Sequence, residues 1–434
     1  MTRRSAMCQL GWSKCSFLLC LAMSAAVFLV IHLTKITPSE PSTPTPSCRP
    51  FSAQCRAFLP VERTEWHRRD CQIESYVSDN ELQCSDLMRE LHFITRPLSQ
   101  EEEEYSLAFI LTVHKELELL VRLLRAIYAP QNVYCIHVDA KAPQEYRASV
   151  QNLAGCFENV FLSNRSETIT YGGFSRLKAD LNCMTDLVAS KVDWKKVINL
   201  CGQDFPLRSN LELVRYLQSK EWRDKNITPG IKQPAHFRIR TKFRHEEIVG
   251  SHVALIGAGV EKDAPPHNLE IYFGTAYYAL TRAFVNFVLE SPKARDLLEW
   301  SRDTYSPDEH YWVTLNHIKE APGNNIRGRW EGSVRAIKWA EHEGTLHDGC
   351  HGRYVRSICI YGMKDLPWLI RSDAMFANKF ESQFLPEALD CLEQWHRNKV
   401  LRNARVPIEL SWLLATQRKY HDEDMSPGGV TNKN

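Results

Sequence analysis

The chain has 434 residues, with 54 Lys plus Arg against 52 Asp plus Glu, and 14 cysteines. That near balance of charge argues against nucleic acid as a partner. No internal repeat or heptad run appears, which excludes solenoids and long coiled coils. The length suits one large α/β domain or two smaller ones.

The first element is an apolar run, Cys15 to Leu33, of 19 residues with no Lys, Arg, Asp or Glu. At about 1.5 Å per residue it can just span a bilayer core of about 30 Å. Arg3, Arg4 and Lys14 precede it and Lys35 follows. That bias predicts a type II signal anchor, with a cytosolic tail (1–14), a membrane span (15–33) and the rest in the lumen. A cleaved signal peptide is the alternative, but the run is long for one and no clear cleavage site follows. Residues 37 to 47 hold four prolines among Ser and Thr, and read as an extended stalk.

Eleven cysteines follow the anchor: Cys48, Cys55, Cys71, Cys84, Cys135, Cys156, Cys183, Cys201, Cys350, Cys359 and Cys391. An oxidising lumen would pair most of them. The odd count leaves at least one free or bonded to another chain. No Cys-x-x-Cys or Cys-x-x-His spacing points to zinc. Asn164-Arg-Ser166 and Asn226-Ile-Thr228 are N-glycosylation sequons, the second followed by Pro229.

The next elements alternate. Leu107 to Val113 reads as a buried strand, and His114 to Tyr128 as a helix. Val133 to Val138 is a second strand ending at Asp139, and Phe157 to Leu162 a third. Arg176 to Val188 is a helix and Lys196 to Leu200 a fourth strand. This order predicts a mainly parallel sheet of nucleotide-binding type, with ligands at the carboxyl ends of its strands. Thr112, His114 and Asp139 are then candidate contacts, although Asp139 could equally cap a turn. Neither a Gly-x-Gly-x-x-Gly nor a Walker loop is present. The one Asp-x-Asp pattern, Asp422-Glu-Asp424, lies in the polar tail. A bound diphosphate would therefore be neutralised by Arg or Lys directly. Arg356, inside the loop Cys350 to Cys359, and Lys379, in Phe-Ala-Asn-Lys-Phe, are placed for that, or are ordinary surface cations.

Tyr305 to Trp312 read Tyr-Ser-Pro-Asp-Glu-His-Tyr-Trp. Ser306 and Glu309 have the spacing of a capping box, with Pro307 at the first helical position. Glu309 among aromatics also suits a general base in a sugar-binding cleft.

From about Leu91 to about Arg405 the chain resembles the core-2/I-branching β-1,6-N-acetylglucosaminyltransferases. The blocks Leu123 to Asp139, Ala179 to Cys183, Asn199 to Pro206, Asp303 to His310, Cys359 to Gly362 and Phe376 to Phe380 carry that resemblance. Asn226 to Gly230 and Arg240 to Lys242 bring it nearest to the I-branching enzyme and the seventh member. The resemblance implies a GT-A-like α/β fold over residues 91–405, after a stem and N-terminal lumenal region (34–90) and before a C-terminal tail (406–434). It implies transfer of GlcNAc from UDP-GlcNAc to the 6-hydroxyl of a Gal or GalNAc acceptor on glycoproteins, with inversion and neither cofactor nor divalent metal. Glu309 would be the catalytic base. Arg356 and Lys379 would hold the diphosphate, Thr112, Asp139 and Tyr171 the uridine end, and Trp339 the acceptor. The implied disulfides are Cys55–Cys391, Cys84–Cys156, Cys135–Cys183 and Cys350–Cys359, with Cys201 free.

Partners would be the donor, a glycan acceptor, the Golgi membrane through the anchor, and a second copy in a homodimer. Pro229, Phe237, Arg238 and Glu341 depart from the core-2 acceptor pattern and favour a galactose within poly-N-acetyllactosamine. A same-fold transferase with another donor, such as a xylosyltransferase, and a silent Golgi lectin are the competing readings.

Overall fold

The computed structural model describes Cys55, Phe58, Leu59, residues 73–78 and residues 83–414. The expected anchor, the stalk, Cys48, Cys71 and the Asp422–Asp424 tail lie outside the described residues. Among the described residues, no helix is long and apolar enough to cross a membrane.

A five-stranded sheet forms the centre. Strands β1 (Leu107–Val113), β2 (Val133–Val138), β3 (Val160–Leu162) and β4 (Lys196–Cys201) are parallel, in the order β4-β1-β2-β3. The strand Ala279–Thr281 adds antiparallel to the outer edge of β4. Side chains of a strand alternate between faces, and β1 is apolar on both. Leu107, Phe109, Leu111 and Val113 join one core with Leu120, Leu124, Val150 and Leu153 from the helices Leu117–Ile127 and Gln144–Gly155. Ala108 and Ile110 join a second core with Leu177, Met184, Phe284 and Trp312, from the helices Phe174–Val188, Arg282–Glu290 and Tyr311–Asn316. A parallel sheet covered on both faces needs such continuous apolar strands.

The strands β1 and β2 have the expected bounds, and β3 begins later than Phe157. The first helix starts at Leu117 rather than His114, because Glu116 is left-handed (φ 57°) and cannot continue a helix. The second begins at Phe174, two residues before Arg176. The helix Gln144–Gly155 has no counterpart in the sequence reading.

A smaller three-stranded sheet, Arg335–Ala336, Phe376–Asn378 and Asp204–Pro206, packs on the last long helix, Pro386–Asn403, in a third core. Two guanidiniums, Arg122 and Arg125, reach Glu393 on that helix at 2.7 Å each. Burial pushes the Glu393 carboxyl up, but Arg125 and Arg122 outweigh it and hold it below its ordinary value. The disulfides are Cys55–Cys391, Cys84–Cys156, Cys135–Cys183 and Cys350–Cys359, and Cys201 is free. These are the pairings that the resemblance implies. Cys55 and Leu59 lie in the third core, and Ile73, Val77 and Leu87 in the first.

One of the two sequons does not suit this fold. Asn164 is exposed. Asn226 is fully buried, its amide nitrogen 2.9–3.0 Å from Asn316 Oδ1, Pro322 O and Gly323 O, while its oxygen accepts from Thr281 N at 2.9 Å. A glycan there would remove this packing, so the expectation for Asn226 is corrected.

Glu393→Ala removes the carboxylate that both guanidiniums share, and should destabilise the fold by about 3–5 kcal/mol in chemical denaturation at neutral pH. That cost should shrink as pH falls, because a carboxyl held low contributes only while ionised. Glycopeptide mapping of the secreted or membrane-extracted protein should find no glycan at Asn226.

Candidate active site

The expected catalytic stretch is not a capping box. Ser306 is left-handed (φ 46°), and its side chain caps no helix. Its backbone N–H instead donates to Gly172 O at 2.7 Å, on the loop that carries Tyr171. Pro307–Glu309 form one 3₁₀ turn, and a helix restarts at Tyr311 after an irregular His310. The turn therefore projects Glu309 sideways instead of folding it back on Ser306.

Glu309 ion-pairs with Arg240, and a third of its side chain remains exposed. Arg240 is held in turn by three rings, with its guanidinium 4.7 Å from the Phe237 centroid and 5.3 Å from those of Phe273 and Tyr305. Phe237 and Phe273 stack at 4.0 Å. Burial, and then the neighbouring Asp308 carboxylate, push Glu309 up to about 7 against the pull of Arg240. Beneath this turn, Arg176 ion-pairs with Asp180, whose other oxygen accepts from Asn199 Nδ2 at 3.0 Å and Tyr278 OH at 2.9 Å. Arg176 also lies close enough to Asp308 to favour its charged form, although burial wins and raises it.

Across the cleft stand cations. Arg356 occupies the tip of the hairpin formed by strands Arg353–Val355 and Ile358–Ile360, which Cys350–Cys359 ties. Arg356 and Ser357 both have positive φ (53° and 62°), which makes a two-residue turn of the tightest hairpin kind. The Arg356 guanidinium lies 4.7 Å above the Tyr171 ring, and Tyr171 is 63% exposed. Partial burial raises the Tyr171 hydroxyl, the Glu309 carboxylate raises it further, and Arg356 opposes this. Lys379 is only 9% exposed. Burial pushes its ammonium down, Glu381 opposes this, and Arg356 and Lys115 add to it. Among the described residues, neither the Arg356 guanidinium nor the Lys379 ammonium has an ion-pair or hydrogen-bond partner.

Asp139 ends β2, and its Oδ1 accepts from Lys141 N at 2.9 Å and Ile169 N at 3.3 Å. It therefore orders the segment that leads to Tyr171, as a turn cap would. Thr112 lies beside it at the end of β1, and its buried Oγ1 has no hydrogen-bond partner among the described residues. Trp339 flanks the Arg356 hairpin. It bridges Ile358, and Ala340 N donates to Ser357 O at 2.9 Å. Its half-buried ring stacks on no other aromatic among the described residues. Glu341, two residues on, is exposed.

The structure thus brings Glu309, Tyr171, Arg356 and Lys379 into one neighbourhood, with Thr112 and Asp139 at the strand ends and Trp339 on the hairpin side. Sequence reasoning missed the part played by Arg240, Arg176, Asp180 and Asp308. Among the described residues, one group could offer three metal ligands, Cys350, Cys359 and Asp365. Both sulfurs are in a disulfide, and Asp365 accepts from Lys338 at 2.8 Å and Gly362 N at 2.9 Å.

A family model described as core-2/I-branching enzyme matches residues 107–370. Over 340 residues the chain is 57% identical to the human probable beta-1,3-galactosyl-O-glycosyl-glycoprotein beta-1,6-N-acetylglucosaminyltransferase 7, covering 78% of this chain and 79% of that one. It is 45% identical over 412 residues to the human N-acetyllactosaminide beta-1,6-N-acetylglucosaminyl-transferase, covering 93% and 99%. A third relative, the human beta-1,3-galactosyl-O-glycosyl-glycoprotein beta-1,6-N-acetylglucosaminyltransferase, is 41% identical over 333 residues, covering 74% and 77%. By the extent of these matches, the chain belongs to the core-2/I-branching enzyme family.

Proposed function

We propose that this chain is an inverting β-1,6-N-acetylglucosaminyltransferase of GT-A-like fold, working in the Golgi lumen from a type II anchor. It moves GlcNAc from UDP-GlcNAc to the 6-hydroxyl of a Gal or GalNAc unit on a glycoprotein glycan. The observation that carries this reading is the pair of cations without a carboxylate partner, Arg356 and Lys379, on the far side of Tyr171 from a carboxylate raised to about 7. Two like charges held together at the end of a parallel sheet repel, and an anion between them removes that cost. A diphosphate fits the need. The relatives' names supply the sugar and the bond.

In this reading Glu309 takes the proton from the acceptor 6-hydroxyl as its oxygen attacks the anomeric carbon. UDP leaves on the opposite face, so the configuration inverts and no covalent intermediate forms. Charge grows on UDP as the bond breaks, and Arg356 and Lys379 stabilise it from fixed positions, the role that a divalent ion serves elsewhere. Tyr171, Asp139 and Thr112 hold the uridine side, and the open face of Trp339 takes the apolar side of the acceptor sugar. A galactose within poly-N-acetyllactosamine is the favoured acceptor, given the departures from the core-2 acceptor pattern in the region of Pro229, Phe237 and Arg238 and at Glu341.

Assay of the full-length, detergent-extracted protein with UDP-GlcNAc, in EDTA, should give product on poly-N-acetyllactosamine or on core-1 glycan. Absence of product on both, with UDP bound, would support a silent fold or another donor. Glu309→Gln should lower transfer by about 10²–10⁴-fold, the scale of a lost general base, and leave UDP affinity unchanged. In the native enzyme kcat/KM should climb through pH of about 7, as Glu309 loses its proton. Arg240→Gln removes a charge that favours the ionised carboxylate, so it should move this limb to higher pH.

A further inference from the structure

The loop that carries Tyr171 runs directly into the helix Phe174–Val188, whose N-cap residue is Gly173. Glycine offers no side chain to the first N–H groups of a helix, which normally take an oxygen there. Here the oxygen comes from elsewhere in the chain. Glu247, on the hairpin His245–Ile248 and His252–Leu255, accepts from Ser175 N at 3.0 Å and from the Ser175 hydroxyl. Glu247 has no Lys or Arg ion-pair partner among the described residues, so its carboxylate is dedicated to this helix end, where negative charge is favoured.

The same contact fixes the loop. Ser175 Oγ accepts from Thr170 N at 2.8 Å, Gly250 N of the hairpin turn donates to Thr170 Oγ1 at 2.8 Å, and Gly172 O accepts from Ser306 N at 2.7 Å. A Cβ on Gly173 would lie 2.4 Å from Glu247 Oε1, so glycine is what lets the carboxylate approach. The chain thus trades a local cap for one that ties a distant hairpin to the Tyr171 loop.

We propose that Glu247 is a positioning residue. It caps the helix Phe174–Val188 from the neighbouring hairpin and so holds Tyr171 beneath Arg356 for donor binding. The donor part rests on the function proposed above, while the loop part does not.

The test uses full-length protein in detergent, comparing native chain, Glu247→Ala and the double variant Glu247→Ala/Gly173→Asp. The double variant has room for a cap on residue 173 itself. Hydrogen exchange of the amides at 170–175 and the UDP dissociation constant are measured, with the melting temperature alongside. In Glu247→Ala the amides should lose protection and the UDP dissociation constant should rise about fivefold to tenfold, the scale of one lost cap. The double variant should recover both. Unchanged protection overturns the proposal, as does lost protection with UDP affinity intact, a fall in melting temperature with neither change, or a double variant that recovers nothing. A native chain that binds no UDP sinks the functional reading instead, and the exchange data still decide whether Glu247 holds the loop.

Discussion

The buried Arg176–Asp180 pair is the interaction on which the site depends. Both residues lie on one helix, four apart, and Asp180 is almost wholly buried. Through Asn199 and Tyr278 the same carboxylate grips β4 and the segment leading to the edge strand Ala279–Thr281. A buried ion pair is stable only when its remaining hydrogen-bonding capacity is used, and here sheet and helix use it. The turn bearing Asp308 and Glu309 rests on this pair. Two guanidiniums, Arg176 and Arg240, therefore face three carboxylates, Asp180, Asp308 and Glu309. Burial, and then the Asp308 carboxylate, outweigh the pull of Arg240, and Glu309 rises to about 7 despite its own ion pair.

The cleft keeps its charges apart. Carboxylates gather on the turn after Ser306, and unpartnered cations on the hairpin of Arg356 and at Lys379. Tyr171 stands between them, with its ring under the guanidinium. Mixing these groups would let Arg356 or Lys379 neutralise Glu309 and spoil both functions. In the function proposed above, separation would leave one side basic enough to take a proton and the other charged enough to hold a leaving diphosphate. Burial lowers the Lys379 ammonium, and the nearby Arg356 charge adds to that.

Much of the frame was legible in sequence because it obeys local rules. β1 and β2 are apolar on both faces, so a continuous run of apolar residues marks them. The helix Gln144–Gly155 was invisible because it buries only Ser149, Val150, Leu153 and Ala154, too few to print a stripe. Ser306 and Glu309 have the letters of a capping box, and the structure breaks it by turning Ser306 left-handed, with its N–H bonded to Gly172 on the Tyr171 loop. The partners of Glu309 were illegible for a related reason. Arg240 lies 69 residues away, and no periodicity links the two. Blocks such as Ala179–Cys183 and Asn199–Pro206 carried a resemblance without a reason. Asp180 and Asn199 supply the reason, since they hold the floor of the site.

The Glu309 turn and the Arg356 hairpin are both set by backbone in the left-handed region, where residues other than glycine pay about 1 kcal/mol or more. Ser306 has φ 46°, and Arg356 and Ser357 have φ 53° and 62°. A two-residue hairpin turn prefers Asn-Gly at such positions. Arg-Ser is tolerated because the surroundings over-determine it: the disulfide closes the loop, and Ala340 N holds Ser357 O. Glycine at residue 356 would relax the turn and remove the guanidinium from its tip. The strain therefore sits where the proposed function needs a side chain that the turn itself would reject, and the left-handed Ser306, whose side chain leaves Glu309 uncapped and free to pair with Arg240, follows the same logic.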